Sequence, residues 1–177
     1  MGESAILKTL AGIVGGENAL SGAWAEAYSV GGVAPRIVLF PGTVEEVSEI
    51  MKAATRDSLS VLPMGRNTKR GLGDAPAGAD IALSVERLDR ILEHESADLV
   101  ATAECGMTLA ALQEGLGGKG QFLPVDPPHA KGGATLGGII ASNDSGPERL
   151  RYGTTRELLI GMKAVRADGT VFNGGAK

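Results

Sequence analysis

The sequence predicts an α+β protein of two lobes, a small parallel α/β lobe followed by a lobe built on mixed or antiparallel sheet. Three observations carry this expectation. Residues 35–64 alternate between apolar runs and a helical pattern, in the order strand, helix, strand. From residue 97 onward the texture changes to short strands separated by glycine-rich segments. Near the end, Asp168-Gly169 sits between two strand-like runs, a hairpin signal because type I′ turns need positive φ at both central residues. With 177 residues, 43% of them hydrophobic, the chain is long enough to bury a core.

The elements follow in order. Ile6, Leu7, Leu10, Ile13 and Val14 recur at helical spacing, and Gly15-Gly16 is suited to end that helix. The segment has no cationic start and no continuous apolar run of signal-peptide or membrane length, so a soluble cytoplasmic protein is expected. Residues 36–40 form an apolar strand stopped by Pro41-Gly42. Thr43 with Glu46 three residues on is a capping-box signature, and Val44, Val47, Ile50, Met51 and Ala54 share one face of the helix that follows. Residues 60–64 read as the next strand, parallel to the first because a helix connects them, and Ile81 opens another. In the second half, residues 99–104 read as a strand and Thr108 as the N-cap of a helix whose Leu109, Leu112 and Leu116 face inward. The expected division is an N-terminal helical segment over residues 1–34, a first α/β lobe over 35–96 and a second lobe over 97–177.

Charge and cysteine content narrow the function. A net charge of -4 argues against a nucleic-acid surface, which needs a basic face. The single cysteine, Cys105, excludes an internal disulfide and any CxxC metal site, and it fits a reducing compartment. No metal centre is expected. Gly115, Gly117 and Gly120 satisfy GxGxxG, but a helix precedes them where a dinucleotide fold needs a strand, so they read as a helix-ending turn. No P-loop pattern occurs.

"VLPMGRNTKRGLG" at residues 61–73 is more informative. A loop after a strand, with Gly65, Asn67, Thr68 and Gly71, can turn successive backbone N–H groups into one concavity that binds phosphate oxygens. Arg66, Lys69 and Arg70 add positive potential there, although the same cations also suit a solvated turn. A second segment, residues 122–161, places the stiffening Pro124, Pro127 and Pro128 before Gly132, Gly133, Gly137 and Gly138, which let a flat ligand approach the backbone. Asn143, Asp144, Ser145 and Gly146 continue a small polar lining. A surface loop followed by a strand would account for this segment alone, but not for two glycine-rich segments in one compact chain.

Together the two segments resemble the FAD-binding domain of the vanillyl-alcohol oxidase / p-cresol methylhydroxylase family, the FAD linked oxidase group, with two lobes of PCMH type. The family's pyrophosphate loop, Pro-x-Gly-Gly-Gly-Thr/Ser after a strand, is matched by Pro63, Met64, Gly65, Arg66, Asn67 and Thr68. Its Ala-Thr-x-Gly-Gly segment is matched by residues 134–138, and "SGPERLRYGTTREL" is similar to a further family string. "LPVDPPH" is most similar to the FAD-binding subunit type of bacterial glycolate oxidases. The resemblance implies FAD as cofactor. The backbone of residues 65–69, including Lys69, and the Thr68 hydroxyl would hold its diphosphate, while Asp126, Pro127, Thr135, Gly137, Gly138 and Ser145 would line the flavin, adenine or linker.

The implied activity is oxidation of a small 2-hydroxy acid such as glycolate or D-lactate by hydride transfer to FAD, within an oxidase complex whose partner subunits include an iron–sulfur electron acceptor. Relatives continue beyond "DGTVFNGGAK" and add a substrate domain, so a non-catalytic module that binds FAD or another diphosphate ligand is the alternative. Arg66 and Asn67 replace family glycines. Asparagine tolerates positive φ better than arginine, so either the loop is reshaped or Arg66 turns toward the diphosphate. The loop has no histidine for a covalent flavin link, which implies noncovalent FAD. His129 reads as an acid or base, or as a loop neighbour of the flavin. Cys105 reads as buried packing and His94 as a solvated turn residue. Arg149, Arg151 and Arg156 suit either an anionic ligand or a salt-bridged surface. No catalytic residue is assigned.

Overall fold

The computed structural model describes residues 3–175. The chain opens with α1 (Glu3–Val14), whose Leu10 and Val14 are buried, and continues through β1 (Ala19–Ser21), a 3₁₀ stretch (Gly22–Tyr28) and β2 (Ile37–Leu39). Then come α2 (Val44–Arg56), β3 (Val61–Met64) and β4 (Ile81–Ser84). These four strands form one sheet in the order β1-β2-β4-β3, with β1 antiparallel to β2 and β4 parallel to both its neighbours. The two strands joined by α2 are parallel as expected, but β4 lies between them. The N-terminal segment, expected to be helical, also supplies β1 as an edge of the sheet.

β2 and β4 are buried on both faces, which is why they read as unbroken apolar runs rather than as an alternation. On one face Ile37, Leu39, Ile81 and Leu83 pack with Leu10, Val14, Ile50 and Ala54 from the two helices. On the other, Val38, Ala82 and Met64 pack with Ala25 from the 3₁₀ stretch. Thr43 Oγ1 accepts from Glu46 N at 3.1 Å, and the Glu46 carboxylate accepts from Gly42 N at 2.7 Å, so α2 starts where the capping signature places it. At the entry side of the sheet, Asp80 gathers three strands. Its carboxylate accepts from Ser60 N (2.8 Å), Ser60 Oγ (2.7 Å) and Arg36 Nη1 (2.9 Å), and its carbonyl accepts from Arg36 N and Ile37 N.

The second half begins with the hairpin β5 (Ile91–Glu95) and β6 (Val100–Ala103), then α3 (Leu109–Gly117) capped by Thr108, whose Oγ1 accepts from Ala111 N. Leu109, Leu112 and Leu116 are buried as their spacing requires. α4 (Leu136–Ser142), α5 (Arg149–Tyr152) and α6 (Thr155–Leu158) follow, and β7 (Gly161–Val165) pairs antiparallel with β8 (Val171–Gly175). The hairpin predicted from Asp168-Gly169 is present, but its turn is not type I′. Only Gly169 has positive φ (81°); Gly169 N donates to Arg166 O, and the Asp168 carboxylate accepts from Thr170 N, a type I turn followed by a left-handed glycine. Among the described residues no helix is long and apolar enough to cross a membrane.

Candidate functional site

β3 ends at Met64, whose carbonyl accepts from Val85 N at 2.9 Å, and there the ladder stops. None of the amides of Gly65, Arg66, Asn67, Thr68 and Lys69 donates to another described residue. The loop is closed from the far side by Leu72 N donating to Lys69 O at 2.9 Å. Five consecutive amides thus retain their donor capacity, which chain interiors normally satisfy within the protein or with water or ligand. The family-like glycine run is replaced without strain on arginine, since Asn67 takes the left-handed conformation (φ 56°) and Arg66 does not.

The second glycine-rich segment is organised differently. Thr135 bridges Thr108; Leu109 N donates to Ala134 O and Leu136 N to Met107 O, both at 2.9 Å. Gly137 N donates to Cys105 O at 2.7 Å, and Gly138 N reaches the Thr135 hydroxyl at 3.4 Å. The first-turn amides of α4 are therefore spoken for within the protein, in contrast to those of residues 65–69. Gly137 is tightly packed here, because a Cβ would stand 3.0 Å from Cys105 O and 3.1 Å from Cys105 Cβ.

The fold brings these two segments together. A methyl group at Gly65 would collide with the Thr135 hydroxyl, and one at Gly133 would lie 3.2 Å from Arg66 Cδ. Lys69 Nζ donates to Ser142 Oγ at 2.7 Å and pairs with the Asp144 carboxylate. Burial pushes the Lys69 ammonium pKa below its ordinary value. Arg66 Nε lies 3.8 Å from the Glu86 carboxylate, which also accepts from the Ser84 hydroxyl at 3.2 Å. Sequence reasoning placed Asp144 only in a polar lining and did not single out Glu86 or Ser142. Lys69 and Asp144 are far apart in the chain, and no local pattern signals their pairing.

Other candidates fall elsewhere. Pro63 and Met64 belong to β3, the first exposed and the second buried. Asp126 is exposed and its amide donates to Ser145 O at 3.1 Å; Pro127 is buried. Ser145 is buried, its hydroxyl accepting from Thr155 N at 2.9 Å and donating to Asn143 O at 3.2 Å. His129 is exposed in the left-handed conformation (φ 63°). Cys105 is exposed, not buried as expected, although its carbonyl and Cβ pack against Gly137; desolvation by the surrounding protein raises the thiol pKa. His94 is half-buried rather than solvated, 2.8 Å from the Gln121 side-chain oxygen. Arg149, Arg151 and Arg156 are exposed, with the Arg151 guanidinium 5.3 Å from the Tyr152 ring centre. Gly115 and Gly117 lie in the last turns of α3 and Gly120 just beyond it, so GxGxxG marks a helix end.

Comparison with known proteins places this arrangement. Residues 35–175 match the family described as the FAD binding domain. The D-2-hydroxyglutarate dehydrogenase of Xanthomonas citri pv. viticola is 36% identical over 135 residues, 76% of this chain and 28% of that protein. The glycolate oxidase subunit GlcD of Bacillus subtilis is 31% identical over 143 residues, covering 81% of this chain and 30% of that protein. The chain thus spans less than a third of the length of these relatives. Among solved structures, p-cresol methylhydroxylase with substrate bound superposes with a TM-score of 0.80 at 20% identity, over 96% of this chain and 35% of that one, a likeness of fold. A strand-ending loop packed on a threonine-capped glycine helix, in a chain whose family match runs from before β2 through β8, leads to one assignment: the chain belongs to the FAD-binding domain family of the FAD-linked oxidases.

Proposed function

We propose that the chain holds FAD noncovalently in a cytoplasmic oxidoreductase acting on a small 2-hydroxy acid such as glycolate or D-lactate, in a complex that passes electrons to an iron–sulfur partner. The observation that carries the reading is the run of five unpartnered amides at residues 65–69, set against Thr135. The residues present fit the cofactor. A diphosphate needs several converging donors, and the loop offers main-chain amides with the Thr68 hydroxyl beside them. Gly137 lets the first turn of α4 pack directly against Cys105, close to the loop that Gly65 seats on Thr135. The loop carries no histidine, which supports a noncovalent mode.

Bound FAD supplies the two-electron acceptor for the substrate's carbon–hydrogen bond. The chain's own residues bind and orient. Residues 65–69 hold the diphosphate, while Thr135, Gly137 and Gly138 set the surface beside it. Asp126 and Pro127 bound the site at the stretch that leads into Ser145. Ser145 acts by tying Asn143 to Thr155, which keeps the turn after α4 in place. The relatives' printed names, a 2-hydroxy-acid dehydrogenase and a glycolate oxidase subunit, support the substrate class.

Titration of the purified chain with FAD, followed by flavin fluorescence, tests the cofactor reading. Saturable binding is expected, with ADP displacing FAD and riboflavin, which lacks the diphosphate, binding at least about tenfold more weakly. Absence of saturable binding, or equal affinity for riboflavin, overturns it. In the assembled oxidase, anaerobic glycolate or D-lactate should bleach the flavin absorbance; failure of every small 2-hydroxy acid to do so removes the substrate assignment.

A further inference from the structure

Lys69 would ordinarily be taken as a phosphate ligand, being a lysine in a loop of bare amides. Its surroundings argue otherwise. Its side chain is 19% exposed and that of Asp144 is 25% exposed, so the pair is largely withdrawn from water. The ammonium is held twice, by the Asp144 carboxylate and by Ser142 Oγ at 2.7 Å, and the Ser142 hydroxyl donates onward to Gly138 O at 2.8 Å. Its charge therefore already has a partner and its direction is set toward α4. An arriving anion would meet Asp144, a like charge, on the same ammonium.

We propose, resting on the cofactor reading above, that Lys69 is a positioning residue: with Asp144 and Ser142 it forms a strap that holds residues 65–69 against α4 and leaves the loop's amides, not its ammonium, to bind the diphosphate. The two segments touch at Gly65 and Thr135 at one end of the loop, and the strap anchors the other end. A loop fixed at both ends loses less conformational freedom when a ligand is bound, so the strap raises affinity without touching the ligand.

Asp144→Asn decides between the two roles, because they predict opposite signs. A strap loses its charged partner and FAD binds about tenfold more weakly. A phosphate-ligand lysine would be freed, and FAD would bind more tightly or unchanged; that result overturns the proposal. The double variant Lys69→Met/Asp144→Asn should be little worse than either single one, since both remove the same contact. Amide hydrogen exchange across residues 65–71 in the FAD-free protein gives a reading independent of the cofactor. Both single variants should exchange about tenfold faster there than the wild type, and unchanged exchange overturns the strap whatever FAD does. If the wild-type chain fails to bind FAD, the cofactor reading falls and the strap is decided by exchange alone. Should Asp144→Asn not fold, Ser142→Ala, which leaves the charges paired, is expected to speed exchange about threefold, and no change would overturn the strap.

Discussion

Gly65 carries its constraint in sterics rather than in dihedral angle. Its φ is not positive; what excludes a side chain is the buried Thr135, which is the cap of α4. Gly65→Ala should therefore act on two segments at once, pushing the Thr135 hydroxyl from its cap and moving the loop. A loss of about 1–2 kcal/mol in unfolding free energy is expected, together with weaker FAD binding. Denaturant unfolding and FAD titration of the same preparation check this; unchanged stability would mean that the two segments do not press together. Asn67 is the complementary case. That asparagine tolerates a left-handed conformation better than arginine was legible from the residue types, and it is Asn67 that adopts it. The distant contacts of Arg66 and Lys69 with Glu86 and Asp144 were not, because their partners lie on segments whose approach only the fold decides.

Secondary elements with local chemical signatures were readable: Thr43 and Glu46 at α2, Thr108 at α3, and Asp168-Gly169 at the last hairpin. The type of that final turn was not, because Asp168 spends its carboxylate on Thr170 N and thereby favours a geometry needing one left-handed residue instead of two. β1 was missed for a related reason. Three residues of weak pattern become a strand only through pairing with β2. Asp80 shows how one side chain can align several strand starts. Hydrogen bonds from Ser60, then the pairing with Arg36, hold its carboxyl below the ordinary value of 3.8. Because the folded-state value is the depressed one, this contribution is full above about pH 4 and is lost as pH falls through the folded value. Asp80→Asn is expected to cost about 1–2 kcal/mol at pH 7 and to flatten the stability loss as pH falls below about 4. Urea titrations at a series of pH values measure both; an unchanged acid slope would show that Asp80 titrates alike in both states.

At the scale of the molecule, the last hairpin returns to the first lobe. Ser48 Oγ donates to Gly169 O and Thr55 Oγ1 to Ala167 O, both at 2.6 Å, so the tip of β7 and β8 is seated on α2. The change of texture after residue 97 was visible in the sequence, while this return contact was not, since a single serine or threonine in a helix carries no sign of which distant carbonyl it will meet. The order of the first sheet has a temporal implication. β2 and β3 have no ladder with each other and both depend on β4. A nascent polypeptide emerging from the ribosome therefore cannot assemble its parallel sheet until residues 81–84 have cleared the exit tunnel; until then β2 has only β1 to pair with, and β3 has no strand partner. Ribosome-stalled chains with only residues 1–75 outside the tunnel should be cut rapidly by protease, and chains exposing residues 1–104 should resist; equal resistance would show that the early segment finds its shape without the strand that joins its halves.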